Sequence, residues 1–348
     1  MKKHFLLFIL MLMPMLAIAD EIVKINGIWY NLINKVKVAE VSEGSSKYAG
    51  EIVIPESVEY ENVTYSVTSI RNSAFSGCNE LTSVFIPNSV TSIGNGAFYG
   101  CTALSSVYFG DSLKTIGRYA FNHCKSLTSL TIPNSVTGIG MYAFSGCSGI
   151  ATLVLGNGIS SIGEGVFSGC TGLKSVTIPK SVKTIGVNSS LLVSSSFPNG
   201  YVIDNLFIED LSIWCKVDRK NAIRFNHLFL NGEEVKDLVI PNDVTSISDY
   251  AFISCEGLTS VTIHNSVTSI GRGVFSGCTG LTSVEIPNSV TSIGKSTFSG
   301  CTGLSSVKFP NSVASIDDYT FYGCTGLTSV EIPNSVTTIG VSAFYGCI

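Results

Sequence analysis

The sequence predicts an α/β solenoid, a stack of 23-residue coils that each hold a short parallel strand and a short helical turn. Three observations support this prediction. A unit close to Leu-x-x-Val-x-Ile-Pro-Asn-Ser-Val-Thr-Ser-Ile-Gly-x-x-Ala-Phe-x-Gly-Cys recurs through most of the chain. Its cysteines keep one phase on both sides of an interruption, at Cys78, Cys101, Cys124, Cys147 and Cys170 and then at Cys255, Cys278, Cys301, Cys324 and Cys347. One unit can bury only about six large apolar side chains, too few to offset the conformational entropy lost on ordering it, so every unit needs neighbours.

Residues 1–19 read as a secretory signal. Two lysines precede an apolar run from Phe5 to Ile18, and small residues precede the predicted first mature residue, Asp20. A membrane anchor is the weaker alternative, because Pro14 interrupts the run and a span needs about 20 apolar residues. The mature chain is therefore expected to leave the cytoplasm, either into the medium or onto the cell surface.

Residues 20–65 are expected to form an N-terminal β cap. Short alternating pieces such as Ile22 to Ile25 and Val36 to Ala39 are typical of antiparallel strands. The segment from Tyr60 to Tyr65 reads as a small hairpin in the same cap. Such a cap would cover the open apolar end of the first coil.

Each coil is expected to begin with a strand. Leu81, Val84 and Ile86 place apolar residues on one face, and the proline that follows supplies no ladder donor, so the strand stops there. A second extended piece then reaches Ile93. The coil is thus predicted to contribute two extended segments to the stack.

The rest of the coil predicts a helical turn. Gly94 occupies a position that holds glycine, serine or aspartate in most units, which are residues that a helix N-cap prefers. Ala97 and Phe98 are expected to turn the phenylalanine inward. Gly100 then suits the left-handed conformation with which such turns end.

The repeats occupy residues 66–186 and 240–348, and residues 187–239 interrupt them. The interruption reads as degenerate repeats with a hairpin or loop insertion, since Asn231-Gly232 is a strong hairpin signal. A flexible linker is the weaker alternative, because Ile203, Leu206 and Ile208 keep an apolar rhythm. The sequence ends at Ile348 inside a repeat and without a polar cap, which predicts either truncation or association through that end.

The ten repeated cysteines are expected to form one structural column. Side chains that point the same way about 4.8 Å apart do not suit disulfide geometry. We therefore expect free buried thiols that pack as small hydrophobic groups, with disulfides as the alternative. Cys215 lies outside the column and is also expected in the core.

The segment Leu-Thr-Ser-Val-Glu-Ile-Pro-Asn-Ser-Val-Thr-Ser-Ile-Gly at 281–294, closed by Phe298-Ser299-Gly300-Cys301, resembles the BspA-type leucine-rich repeat of bacterial surface proteins. The resemblance covers about 66–186 and 236–347. It implies a right-handed leucine-rich-repeat superhelix, export to the cell surface or medium, and roles in adhesion, host-protein binding or co-aggregation. The family defines no catalytic residues, and this chain departs from it in lacking a recognisable anchor.

Little in the sequence points to chemistry. Charged residues make up only 13%, the net charge is −4, and no basic cluster occurs, so nucleic acid is not an expected partner. No metal-ligand spacing of Cys or His occurs, and the Gly94-Asn95-Gly96 segment lacks a full phosphate-binding fingerprint. We expect no enzyme activity, no metal and no cofactor.

The positions that vary between repeats are the candidate ligand-binding residues. One column is expected to point outward from the strands and changes from aromatic to charged along the chain. A second column precedes the Ala-Phe turn. Together they supply the candidates Phe85, Tyr108, Tyr119, Tyr142, Glu285, Lys308 and Glu331. Aromatic residues suit interface anchoring, and neutral drift on a solvated face is the alternative.

The leading hypothesis is an exported, non-enzymatic scaffold that binds an extracellular protein or glycan on its strand face, with host matrix proteins among the candidate partners. The alternative is a structural protein that self-assembles through its open ends or aromatic columns into a surface layer. Neither hypothesis needs a cofactor or a nucleic acid.

Overall fold

The computed structural model describes residues 20–163, 165–185, 202–219 and 223–348. The predicted signal segment, residues 1–19, lies outside the described residues, as do residues 187–201 and 220–222 of the predicted insertion. The described residues form a solenoid of parallel ladders, as the sequence predicts. Within them, no helix is long and apolar enough to cross a membrane.

Six strands form the N-terminal region: β1 (Glu21–Ile25), β2 (Ile28–Ile33), β3 (Val38–Val41), β4 (Ala49–Val53), β5 (Ser57–Tyr60) and β6 (Val63–Ile70). Strands β1, β2 and β3 form an antiparallel meander, and β5 pairs antiparallel with β6 as a hairpin. Strand β3 then pairs in parallel with β6, which continues into the coils. The meander therefore covers the apolar end of the stack and shares its sheet with it.

The first block of coils contains ten strands: β7 (Glu80–Phe85), β8 (Ser92–Ile93), β9 (Ser106–Tyr108), β10 (Thr115–Ile116), β11 (Ser129–Thr131), β12 (Gly138–Ile139), β13 (Thr152–Val154), β14 (Ser161–Ile162), β15 (Ser175–Ile178) and β16 (Thr184–Ile185). Each coil gives one strand to each of two parallel ladders, which are interrupted between β9 and β11 and between β12 and β14. Partners are 23 residues apart, as for Val84 with Val107 and Ile93 with Ile116. The repeat period thus sets the register directly.

The interruption continues the stack. It contains β17 (Val202–Ile208), α1 (Leu211–Lys216), β18 (Asp218–Arg219), β19 (Arg224–Leu230) and β20 (Glu233–Glu234). Strand β17 pairs in parallel with β15 and with β19, so these are degenerate coils and not a linker. Strands β19 and β20 form a hairpin around Asn231 and Gly232, both with positive φ. The buried Trp214 indole donates to the Ala251 carbonyl at 2.9 Å, which joins α1 to the next coil.

The second block contains nine strands: β21 (Asp237–Val239), β22 (Ser246–Ile247), β23 (Ser260–Thr262), β24 (Ser269–Ile270), β25 (Ser283–Glu285), β26 (Ser292–Ile293), β27 (Ser306–Lys308), β28 (Ser315–Ile316) and β29 (Thr338–Ile339). Their parallel pairing repeats that of the first block. The coils of both blocks therefore pair in parallel with the same 23-residue register.

A column of phenylalanine rings fills the coil interior. Neighbouring rings are stacked, with centroids 4.7 to 5.7 Å apart, in two runs: Phe75, Phe98, Phe121, Phe144 and Phe167, then Phe252, Phe275, Phe298, Phe321 and Phe344. Each ring covers the next, so the core is continuous along the axis. The sequence prediction that Phe98 points inward agrees with its complete burial.

The predicted helical turn is not helical, and α1 is the one α-helix in the described part of the chain. In the first turn, alternate N–H groups donate to carbonyls of the next coil at 2.7 to 3.0 Å: Ser73 to Asn95, Phe75 to Ala97 and Gly77 to Tyr99. The N–H groups between them donate three residues back within the turn. Left-handed residues such as Ser73 (φ 58°) and Gly77 (φ 67°) turn every second N–H group along the axis. A helix would keep these hydrogen bonds inside one coil.

Gly94 is required by coil contact rather than by capping, which corrects the N-cap prediction. Its N–H donates to the Ile70 carbonyl of the preceding coil at 2.8 Å, and an added Cβ would lie 2.5 Å from the Asn72 nitrogen. Asp317 occupies the equivalent position, and there β26 and β28 are not hydrogen-bonded into one sheet.

Two glycines of the first block allow a direct test of the close backbone contact between coils. At Gly117 an added Cβ would lie 2.6 Å from the Gly94 carbonyl carbon, whereas at Gly138 the nearest atom would be a Thr115 methyl at 3.9 Å. We expect Gly117→Ala to lower the free energy of unfolding by about 3 kcal/mol through forced backbone separation. Gly138→Ala should change it by less than about 1 kcal/mol. Urea unfolding of both variants checks this, and equal effects would contradict the close coil contact.

Candidate binding surface on the strand face

The longer strand of each coil alternates between the interior and solvent. Val84 is buried, and Phe85 beside it is exposed. We define the strand-face column as the outward residues at this position in successive coils: Val53, Phe85, Tyr108, Thr131, Val154, Thr177, Phe207, Phe229, Val239, Thr262, Glu285, Lys308 and Glu331. Ladder register pairs its members through each sheet. The solenoid thereby aligns residues from coils far apart in sequence on one surface.

The first aromatic pair of this column is formed by two predicted site residues. Phe85 and Tyr108 stack with ring centroids 4.6 Å apart and an interplanar angle of 1°. Their exposed fractions are 42% and 52%. Because the rings stack along the column, their edges project into solvent as a ridge. Exposed stacked aromatics of this kind can bury much area on binding with little loss of side-chain freedom.

A second aromatic pair was missed by the sequence analysis. Phe207 and Phe229 stack at 4.6 Å with an interplanar angle of 20°, half-buried on the same column. They lie in the degenerate coils, where no proline or cysteine marks the phase. A local pattern could have identified Phe207, which lies between the apolar residues Leu206 and Ile208. Tyr108 lies in the same way between Val107 and Phe109.

The column becomes charged towards the last coils. The Lys308 ammonium lies 2.6 Å from Oε1 of Glu285, and both side chains are exposed, so the ion pair adds little stability. A groove of about 500 Å³ runs beside this pair and Thr262. Glu331 lies beyond the last paired strand of this ladder and lines the next groove together with Lys308.

Tyr119 and Tyr142 lie on a different part of the coil, which we call the turn face. Their rings stack at 5.4 Å, and the Arg118 guanidinium lies 5.9 Å from the centre of the Tyr119 ring. Both tyrosines have positive φ, 55° and 57°, like every described member of their column. The structure therefore divides the predicted site residues between two surfaces, and backbone conformation constrains the tyrosine column.

The cysteine column is buried except for the half-buried Cys347, and its sulfurs are thiols. The Cys101 thiol donates to the Phe75 carbonyl at 3.0 Å, and the same contact recurs at Cys124, Cys147, Cys170, Cys278, Cys301, Cys324 and Cys347. Burial raises the pKa of Cys101 and of Cys255 to about 12. Cysteine thus supplies a small side chain with a donor for a buried carbonyl. Cys215 is also buried and unbridged.

Polar side chains of the described residues form hydrogen bonds between neighbouring coils and within the hairpin. Asp318 accepts a hydrogen bond from the Val341 nitrogen at 2.8 Å, and its hydrogen bond with Lys295 at 2.7 Å holds the pKa of its carboxyl group below the usual value. His227 lies 2.7 Å from Glu234 at the hairpin. Within the ranges that the structure describes, no group of His, Cys, Asp and Glu residues could hold a metal ion.

Comparison with known proteins gives one family and several similar structures. The family model described as a BspA type leucine rich repeat region, present in six copies, matches residues 68–190 and 225–348. A leucine-rich repeat protein from Bacteroides ovatus ATCC 8483 is 30% identical with a TM-score of 0.55, over 94% of this chain and 92% of that chain. No curated protein matches the chain.

Two further solved structures are similar. A leucine rich cell surface protein from Faecalibacterium prausnitzii A2-165 is 26% identical, with a TM-score of 0.48, over 90% of this chain and 95% of that chain. The pneumococcal vaccine antigen PcpA is 19% identical, with a TM-score of 0.48, over 94% of this chain and 80% of that chain.

Proposed function

Because this chain belongs to the BspA-type leucine-rich repeat family, we propose that it is an exported, non-enzymatic scaffold that binds an extracellular partner through its strand-face column. Export rests on the signal-like composition of residues 1–19. The non-enzymatic part rests on the coil interior, which the phenylalanine and cysteine columns fill. Cell-surface adhesion and recognition of a host protein or glycan are the roles that fit such a scaffold.

The stack of Phe85 on Tyr108 is the observation that carries this proposal. Both rings are about half exposed and lie on the outer face of the ladder. They are therefore not part of the buried core. Preorganised aromatic side chains of this kind are typical anchors of binding interfaces. The parallel ladder between β7 and β9 holds both rings in place, so binding costs little conformational entropy.

Changing both Phe85 and Tyr108 to serine is therefore expected to weaken binding at least about tenfold, as loss of an interface anchor does. The measurement is surface plasmon resonance of the mature chain on immobilised matrix proteins and glycans. Tyr99→Ser is the matched control, because Tyr99 is an equally exposed aromatic, 47%, outside the strand-face column. Unchanged binding in the double variant, with unfolding free energy preserved, would contradict the proposal.

Self-assembly remains the alternative from the sequence. Concentration-dependent filaments or large oligomers without any ligand, measured by light scattering, would favour it. In that case the double serine variant should alter assembly and leave ligand binding unaffected.

A further inference from the structure

A row of hydroxyl groups runs beside the strand-face column. Two residues before each column member, the first block carries a serine or threonine, exposed or half-buried, in ladder register: Ser83, Ser106, Ser129, Thr152 and Ser175. We call this row the hydroxyl column. Its side chains are smaller than the aromatic rings of the strand-face column beside it. One hydroxyl group recurs per coil, at the ladder spacing of about 4.8 Å.

The strand-face column and the hydroxyl column carry no charge in the first block. From the coil of Phe85 to the coil of Thr177, neither the strand-face column nor the hydroxyl column contains an ionisable carboxylate, ammonium or guanidinium group. A charged ligand lying there would lose hydration without gaining a counter-charge. Charge complementarity therefore favours a neutral ligand that is rich in hydroxyl groups.

The two aromatic stacks lie at either end of this uncharged stretch. Three coils, those of Thr131, Val154 and Thr177, separate Tyr108 from Phe207. Three ladder steps join Thr131 to Phe207, and one further coil step, across which β9 and β11 are not paired, joins Tyr108 to Thr131. Four coil steps correspond to a separation of roughly 19 Å. A ligand that contacts both stacks must therefore be extended and must run along the solenoid axis.

From this arrangement we infer that the strand face binds a neutral linear glycan that lies along the hydroxyl column, an inference that rests on the proposed binding function. A pyranose has apolar C–H groups and a rim of hydroxyls. The C–H groups of the sugar contact the aromatic ridge. The sugar hydroxyls exchange hydrogen bonds with serine and threonine hydroxyls, which both donate and accept. The coil repeat is close to the length of one sugar in an extended strand, so successive coils meet successive sugars.

The test is isothermal titration of the mature chain with mannan, xylan and mixed-linkage β-glucan, with hyaluronan and chondroitin sulfate as acidic counterparts. We expect a neutral glycan to bind, with affinity that rises with oligosaccharide length until both stacks are spanned. Phe85→Ser with Tyr108→Ser, and Phe207→Ser with Phe229→Ser, should each weaken polysaccharide binding at least about tenfold. Binding should be insensitive to salt, because no ion pairs are involved.

Thr152→Val gives the sharper comparison, since it removes one hydroxyl of the hydroxyl column with little change of shape. We expect about fivefold weaker glycan binding, as for one lost hydrogen bond. Thr137→Val is the control, an exposed threonine outside both columns. Binding of only acidic polysaccharides, or equal effects of the two valine variants, would overturn the inference.

The remaining outcomes separate this inference from the proposed function. If only a protein binds, and the aromatic variants abolish that binding, the glycan inference fails while the binding scaffold stands. If the aromatic variants change no binding event, both fail.

Discussion

Phe121→Ala is expected to lower the free energy of unfolding by about 4 kcal/mol, the usual cost of truncating a buried phenylalanine. The ring lies completely buried between Phe98 and Phe144, at centroid distances of 4.7 and 5.2 Å, and Phe109 contacts it edge-on at 5.6 Å. Its removal leaves a cavity that the neighbouring coils cannot easily close, because the β8–β10–β12 ladder and the hydrogen bonds between turns hold their spacing.

Phe85→Ala is the matched control for this prediction. Phe85 also stacks on a ring in the next coil, at 4.6 Å, but 42% of it is exposed. Its truncation should cost less than about 1 kcal/mol, because little apolar area returns to water. Urea unfolding followed by circular dichroism measures both variants. A similar loss for both would show that burial in the column does not dominate coil stability.

Alkaline pH is expected to unfold the protein steeply. Burial raises the pKa of Cys101, Cys255 and Cys324 to about 12, whereas an unfolded thiol titrates near 8.5. Below about pH 8.5 both states are protonated and the stability is complete. Between about pH 9 and 12 only the unfolded state loses protons, so each thiol removes about 1.4 kcal/mol per pH unit. Three such thiols remove about 4 kcal/mol per unit, against a typical total of 5 to 15 kcal/mol.

The measurement is the urea midpoint between pH 8 and 11, together with thiol titration under each condition. At pH 8 we expect the native chain to react with a thiol reagent at no cysteine but the half-buried Cys347, and the unfolded chain to react at all eleven cysteines. Changing Cys101, Cys255 and Cys324 to alanine should flatten the alkaline slope by about 4 kcal/mol per unit. A slope that the triple variant leaves intact would assign alkaline unfolding to other groups.

Much of the fold could be predicted because one period is repeated. Val84 and Val107 are 23 residues apart in sequence and are ladder partners in the structure, so period and register are the same quantity. The left-handed Gly100 and the inward Phe98 also follow from the unit itself. The helical turn was predicted wrongly because local sequence does not reveal hydrogen bonds between coils. Glycine and alanine at such positions suit either a helical turn or a turn that bonds to its neighbours.

The candidate site was only partly predictable. Phe85 and Tyr108 could be named from the alternation of the strand, whereas Phe207 and Phe229 lie where the unit has degenerated. Tyr119 and Tyr142 could be named as variable positions, but their left-handed backbone and their place on another face could not. The distance between two columns depends on how far the chain turns between the two strands of one coil. The 23-residue period does not specify that turn.

By itself the sequence determined the coil period, the inward residues and the family resemblance, because each follows from one unit and its identical neighbour. Only the tertiary structure decided that Gly94 separates two backbones and that the degenerate coils extend the aromatic column. The physical reason is that these features depend on contacts between coils, and a contact energy belongs to the pair of surfaces that meet, not to either segment alone.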